Sequence, residues 1–306
     1  MNLENLEWTD HPSNPLIEPI RPDWMIADPS VVTPSESPDG NWHLFANAIL
    51  QGIQHFLSED GLSWTRVGKK LFLGIRPFVF KENGVFHLFY EKANLPRGSV
   101  IAARRSDDLL TWSEPRVVLA PQFPWEGKGL RTNGNPCLVK HDGRYRLYFS
   151  AGWVFLRDCL FLEPRHIGVA ESDAVEGPYA KRPEPLLGPS ADPPFRNLGA
   201  GSMKVLPPEG DGPWYAFNNG IFRDGEGRSR SEIRLLKSRD GYVWDWVSPS
   251  PLVTPEETGW KRALVYAMHV VRHGDEWRMY YNARDGWFIG KERIGLAVGR
   301  RRAAGP

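Results

Sequence analysis

Apolar and polar positions alternate along this chain in short runs, and one phrase of that alternation occurs five times. Each copy opens with an apolar strand, at 29–32, 77–80, 136–139, 203–206 and 266–271. A tight-turn pair follows: Asp39-Gly40, Asn83-Gly84, Asp142-Gly143, Asp211-Gly212 or Gly274-Asp275. An aromatic-rich strand comes next, as in Trp42-His43-Leu44-Phe45 or Trp277-Arg278-Met279-Tyr280-Tyr281. Asn-Gly and Asp-Gly suit two-residue hairpin turns, whose central positions need positive φ. The pattern predicts five hairpins spaced by roughly 45 to 70 residues, in the range of propeller blades.

A second phrase follows each hairpin. Ser58-Glu59-Asp60-Gly61 leads to Trp64, Ser106-Asp107-Asp108 to Trp112, Ser172-Asp173 to Gly177-Pro178-Tyr179, and Ser238-Arg239-Asp240-Gly241 to Trp244. This reads as a third strand, a turn and a fourth strand, and four antiparallel strands make one blade. The fifth blade reaches its third strand at 294–298 and then the chain ends. Its fourth strand is expected at the other terminus, because Leu6-Glu7-Trp8 through Ile17 resembles Asp245-Trp246-Val247 through Val253. The reading is an all-β five-bladed propeller, closed by the N-terminal strand, in a single domain spanning 1–306. Its blades fall at about 28–70, 76–120, 133–188, 199–254 and 263–300 plus 6–18.

Composition narrows the function classes. The chain has 306 residues, 41% of them hydrophobic, with 30 Gly and 27 Pro to serve many turns. A formal charge of +1 gives no support for a nucleic-acid partner. No apolar run approaches the roughly 20 residues of a membrane span. The first residues lack the basic and apolar stretches of a signal peptide, so a cytoplasmic location is expected. Cys137 and Cys159 are the only cysteines and are expected as free buried thiols. No metal-ligand spacing, phosphate-cradling glycine loop or nucleophile elbow occurs, and no cofactor is expected.

If the repeated phrases are scaffold, chemistry belongs to residues that break the repeat. In a propeller the start of each first strand and the end of each second strand emerge around one mouth of the axis. Here those positions carry Asp28, Arg76, Asn135, Gly201-Ser202 and 266–269, with Asn47, Glu91, Ser150, Trp153, Asn218-Asn219, Asn282 and Asp285. A polar ring rimmed by Trp24, Trp125, Trp153 and Trp287 suits a carbohydrate, which offers hydroxyls and apolar ring faces. Pro29 is expected to hold Asp28 extended. Glycoside cleavage uses two carboxyl groups. Asp28 is read as base or nucleophile, Glu91 as the first choice of acid or else as the salt-bridge partner of Arg76, and Glu232 as the second acid. Glu292 is read at the blade position of Glu232. Arg76, Arg131, Asn135, Trp153, His166, His269 and Asn282 are read as substrate-binding.

Ala27-Asp28-Pro29 at the start of blade one resembles five-bladed propeller glycosidases of glycoside hydrolase family 43, and Trp24-Met25 ahead of it is similar to family 32. Ile167-Gly168-Val169-Ala170-Glu171-Ser172 and Ile294-Gly295-Leu296-Ala297 are similar to a blade phrase common in these families. Asn14-Pro15-Leu16-Ile17 and Arg76-Pro77 resemble family 130, which includes phosphorylases. The family 43 resemblance implies that Asp28 is the general base. It also implies a second aspartate opening blade three and a glutamate opening blade four as acid. This chain has Asn135 and Gly199-Ala200-Gly201-Ser202 there. A hydrolase is the leading expectation, with a phosphorylase or a non-catalytic sugar-binding propeller as alternatives.

Overall fold

A computed structural model describes residues 2–192 and 194–301. Five four-stranded antiparallel sheets form the propeller. Blade one holds β2 (Ala27–Val32), β3 (Trp42–Ala48), β4 (Gly52–Ser58) and β5 (Thr65–Phe72). Blade two holds β6 (Ile75–Glu82), β7 (Val85–Asn94), β8 (Gly98–Ser106) and β9 (Arg116–Leu119). Blade three holds β10 (Asn133–His141), β11 (Arg144–Leu156), β12 (Phe161–Ser172) and β13 (Ala180–Lys181). Blade four holds β14 (Met203–Leu206), β15 (Trp214–Arg223), β16 (Ser229–Ser238) and β17 (Asp245–Trp246). Blade five combines β18 (Leu264–His273), β19 (Glu276–Arg284) and β20 (Glu292–Arg301) with β1 (Leu6–Asp10).

The ring closes as the sequence implies. Leu6 through Asp10 pair with Arg301 through Ala297. Beyond β1, Ile17 bridges Ile294, just as Val253 bridges Ile233 and Leu187 bridges Ile167. Closing a sheet ring leaves no blade without a neighbour on either side.

Two hairpin turns, Asn83-Gly84 and Asp142-Gly143, have positive φ at both positions. In blade four the positive φ falls on Gly210 instead of Asp211-Gly212, so that turn sits one residue earlier than expected.

The Ser-x-Asp-Gly phrase is a clasp between blades. Ser58 Oγ accepts from Gly61 N at 2.9 Å, and Asp60 Oδ1 accepts from Leu62 N and Ser63 N at 2.7 and 2.8 Å. The carbonyls of this turn then face the previous blade: Asp60 O receives Arg278 Nη1 at 2.8 Å and Gly61 O receives the Tyr280 hydroxyl at 2.9 Å. Blade four repeats it, with Arg146 on Asp240 O and Tyr148 on Gly241 O. A Cβ on Gly61 would lie 2.6 Å from Arg278 Nη1 and 2.7 Å from the Tyr280 hydroxyl, at φ +73. In blade two the partner is Phe45, which has no hydroxyl, and the glycine is replaced by buried Leu109 packed in the same cluster. Apolar filling there substitutes for the hydrogen bond.

Both cysteines are free and buried. No helix among the described residues is long and apolar enough to cross a membrane.

Candidate active site at the mouth of the propeller

Each blade builds its share of the mouth with one register. An isoleucine of the third strand lies opposite the last inward residue of the second strand: Ile53 with Asn47, Ile101 with Glu91, Ile167 with Ser150, Ile233 with Asn219, and Ile294 with Asn282. The isoleucines are fully buried and fix the depth at which the polar partners sit. Four of the first strands begin with a positive φ, at Asp28 (54°), Arg76 (57°), Asn135 (46°) and Gly201 (60°). Strand pairing is bulged at the first three. The extended backbone expected at Asp28 is therefore wrong: the bulge imposes a left-handed φ that Pro29 does not prevent. Short polar Asp and Asn tolerate that region, whereas arginine there stores strain on the order of 1 kcal/mol or more.

Much of the polar ring ties one blade to the next. Asn282 Oδ1 accepts from Asp28 N at 3.0 Å, Asn47 Oδ1 accepts from Arg76 N at 2.5 Å, and the Ser150 hydroxyl donates to Gly201 O at 2.7 Å. Between blades two and three the link is a close approach: a Cβ on Gly134 would lie 1.8 Å from Glu91 Oε2. Only glycine leaves room for that carboxylate.

The funnel these residues surround is lined by Asp28, Arg76, Asn135, Glu163, Tyr266 and Glu292, among others. Two of its carboxylates differ from those expected. Glu163 sits on β12, opposite Val154, in a blade-three hairpin extended by the 13 residues of β11 and 12 of β12. Burial pushes its carboxyl up to about 7; Arg76 opposes the shift and Asp28 adds to it. The Tyr266 hydroxyl faces Glu163 closely enough to favour its ionised form, yet makes no hydrogen bond of normal geometry. Glu292 opens β20 opposite Arg284 and accepts from Asn282 Nδ2. Burial raises it to about 8, with Arg284 opposing and Asp28 and Glu163 reinforcing. Asp28 keeps a solvent-exposed edge but is otherwise ringed by protein. Burial raises its pKa, while Arg76 and Lys204 favour its charge.

Glu91 also lies in this region but is committed: Arg76 Nη1 donates to its Oε2 at 2.7 Å. Burial works against the Arg76 charge, but Glu91, Asp28 and Glu163 hold it firmly protonated. An anion fixed on a permanent cation is poorly placed to carry a proton, which corrects the assignment of Glu91 as acid. Glu232 is corrected by register. Ile233 matches Ile294, so Glu292 corresponds to Ser231, and Glu232 is one residue on. One residue turns a side chain to the other sheet face. There Glu232 accepts from Arg234, whose Nη1 donates to Pro249 O, and it does not line the funnel.

Of the residues read as substrate-binding, Arg76, Asn135 and Asn282 line the funnel. Trp153 lies along an adjoining groove, its indole N–H donating to Leu130 O at 3.2 Å. His269 is displaced to the opposite end of the axial channel, where its Nδ1 accepts from Val31 N at 2.6 Å. Burial lowers its pKa to about 3, with Lys204 adding to the effect, so it is neutral. His166 packs against Trp125 in the body of blade three. Arg131 pairs its backbone with Gly98 beside the blade-two loop. Neither lines the funnel. Trp125 is likewise not a rim residue: its N–H donates to Pro183 O at 2.7 Å and its ring packs on the core.

No family model matches the chain. An extracellular exo-α-(1→5)-L-arabinofuranosidase of Streptomyces avermitilis is 24% identical over 140 residues, a match spanning 40% of this chain and 29% of that protein. Among solved structures, a glycosyl hydrolase from Bacteroides ovatus aligns with a TM-score of 0.66 at 16% identity, covering 98% of this chain and 94% of its own. A β-1,2-mannobiose phosphorylase from Listeria innocua aligns at 0.65 and 14%, covering 95% and 96%. At these identities the structural likeness establishes the fold, a five-bladed propeller shared with carbohydrate-active enzymes, and leaves the reaction open.

Proposed function

We propose that this protein is a glycoside hydrolase whose reaction runs at the funnel floor. One observation supports this above all. Asp28, Glu163 and Glu292 converge on one concavity, and burial holds Glu163 and Glu292 near or above neutral pH, at about 7 and about 8. Acid–base cleavage of a glycosidic bond requires two carboxyls at one concavity, one of them holding its proton near neutral pH.

In this reading Glu163, which burial leaves partly protonated at neutral pH, gives its proton to the glycosidic oxygen as the bond to the anomeric carbon breaks. Asp28, whose pKa burial raises while Arg76 and Lys204 favour its charge, takes in its ionised form a proton from the water that attacks that carbon. Glu292 stays protonated and, fixed by Asn282, offers a hydrogen bond to a sugar hydroxyl. The Arg76–Glu91 pair positions the Asp28 side of the funnel and is not itself a proton carrier.

Phosphorolysis is the second reading. Buried Arg284 leaves Nε and Nη1 without hydrogen-bond partners beside Glu292, a donor set suited to an anion. A screen of aryl glycosides and oligosaccharides with and without phosphate tests both readings. Sugar release lost in Asp28→Asn and indifferent to phosphate supports the hydrolase. Release that requires phosphate replaces it with the phosphorylase. Saturable sugar binding with no release in either condition leaves a binding propeller.

A further inference from the structure

The mouth is apolar on its surface. Among the described residues, every exposed large hydrophobic side chain except Leu110, Val117 and Val243 lies on the loops and hairpin ends around the mouth. Leu110 and Val243 stand on turns of the opposite face and Val117 on an outer strand. Leucines and isoleucines this exposed on loops gain nothing for the fold, and an apolar surface rimmed by polar groups marks a binding site.

Part of this surface is a groove. It runs across blades two and three, is about 840 Å3 in volume, and is walled by Leu73, Leu95, Leu130, Trp153, Leu160 and Leu162. Leu73, Leu95 and Leu160 are 67%, 80% and 58% exposed, so its lips stand in water. At its inner end it meets the funnel: Ile75, Arg76, Phe161, Glu163 and Pro164 line both. The groove therefore leads to the carboxyl assigned as proton donor, on the side where a leaving group departs. Sugar-binding subsites present mainly hydrogen-bonding side chains; here Lys92, Ser99, Thr132 and Ser150 also line the groove, but leucines and other apolar side chains make up most of its walls. We propose that the groove holds the hydrophobic aglycone of the substrate, so that the natural substrate class is an amphiphilic glycoside, with a sugar in the funnel and an alkyl or isoprenoid-like group along blades two and three. This rests on the hydrolase reading, and its occupant is part of the substrate. A second copy seated on the mouth would instead block the funnel.

The test is a homologous series of n-alkyl glycosides, methyl to octyl, below their micellar concentrations, with the sugar that wild type releases or, where nothing is released, binds in the aryl-glycoside screen. Burying a methylene is worth about 0.8 kcal/mol, so kcat/KM is expected to rise up to about fourfold per added carbon until the groove is filled. Leu95→Asp and Leu160→Asp should collapse the octyl-to-methyl ratio, and Val243→Asp on the far face should preserve it. A flat series in wild type overturns the proposal. So does a dimer in light scattering that Leu95→Asp dissociates while the series stays flat. Calorimetric binding of the series to Asp28→Asn separates the two claims. Chain-length-dependent binding without turnover in wild type supports the groove and removes the hydrolase. Absence of chain-length dependence in both binding and turnover removes the groove alone.

Discussion

The two faces of this propeller use the same repeat to opposite ends. On the face that carries the strand-three-to-four turns, equivalent positions do equivalent work. Gly61 and Gly241 receive tyrosine hydroxyls from Tyr280 and Tyr148, and Trp64, Trp112 and Trp244 meet Tyr280, Phe45 and Tyr148 edge-on. On the mouth face one register position carries Asn47, Glu91, Ser150, Asn219 and Asn282, and the strand starts carry Asp28, Arg76, Asn135 and Gly201. Uniform chemistry marks the scaffold, and chemistry that changes from blade to blade over an unchanged backbone marks the site.

Substitutions on the two faces should separate activity from stability. The largest effect is expected at the mouth: Asp28→Asn and Glu163→Gln each lower kcat/KM by about 10²–10⁴, with thermal unfolding within a few degrees of wild type. A glycoside with a good leaving group should recover much of the loss in Glu163→Gln and little in Asp28→Asn, because only the first lacks a proton for the departing oxygen. On the clasp face Gly61→Ala should reverse this pattern. It meets Arg278 and Tyr280 at an unfavourable φ and should cost on the order of 2 kcal/mol in denaturant unfolding, with near-normal kcat in the folded fraction.

Glu292→Gln sharpens the comparison through pH. The folded-state carboxyl is raised to about 8 from an ordinary 4.5. The unfolded chain therefore ionises first, and this group's contribution to stability is complete below pH 4.5 and lost as pH rises toward 8. Replacing it should leave stability near wild type at pH 4 and raise it by about 3–5 kcal/mol at pH 9, read as unfolding midpoints across pH. The smallest effect is expected from Tyr280→Phe, which removes one hydrogen bond to Gly61 O and should cost about 1 kcal/mol with activity unchanged.

The scaffold was legible because turn chemistry and aromatic spacing recur, so each copy supports the others. Even the shared fifth blade could be read, since Leu6 through Ile17 repeats the pattern of Asp245 through Val253. The site was half legible. Asp28 can be placed at the funnel from sequence because a charge at a strand start breaks the repeat. Glu163 was missed because it lies in the lengthened blade-three hairpin, outside every repeated phrase. That extra length was the available signal. For Glu91 the sequence leaves two readings, an acid or the salt-bridge partner of Arg76, and the bulged backbone that brings the two together decides for the second. Glu232 failed by one residue of register, and His269 because the inner strand carries it past the funnel to the other end of the channel.

The pH dependence of kcat/KM, measured for wild type beside Glu163→Gln on an alkyl glycoside, whose departing oxygen needs a proton, tests the central claim most directly. Wild type should show an acid limb from Asp28 and an alkaline limb near pH 7, and the alkaline limb should vanish in Glu163→Gln. An alkaline limb that survives the substitution, or a wild-type profile flat from pH 6 to 8, would contradict Glu163 as the proton donor at the mouth.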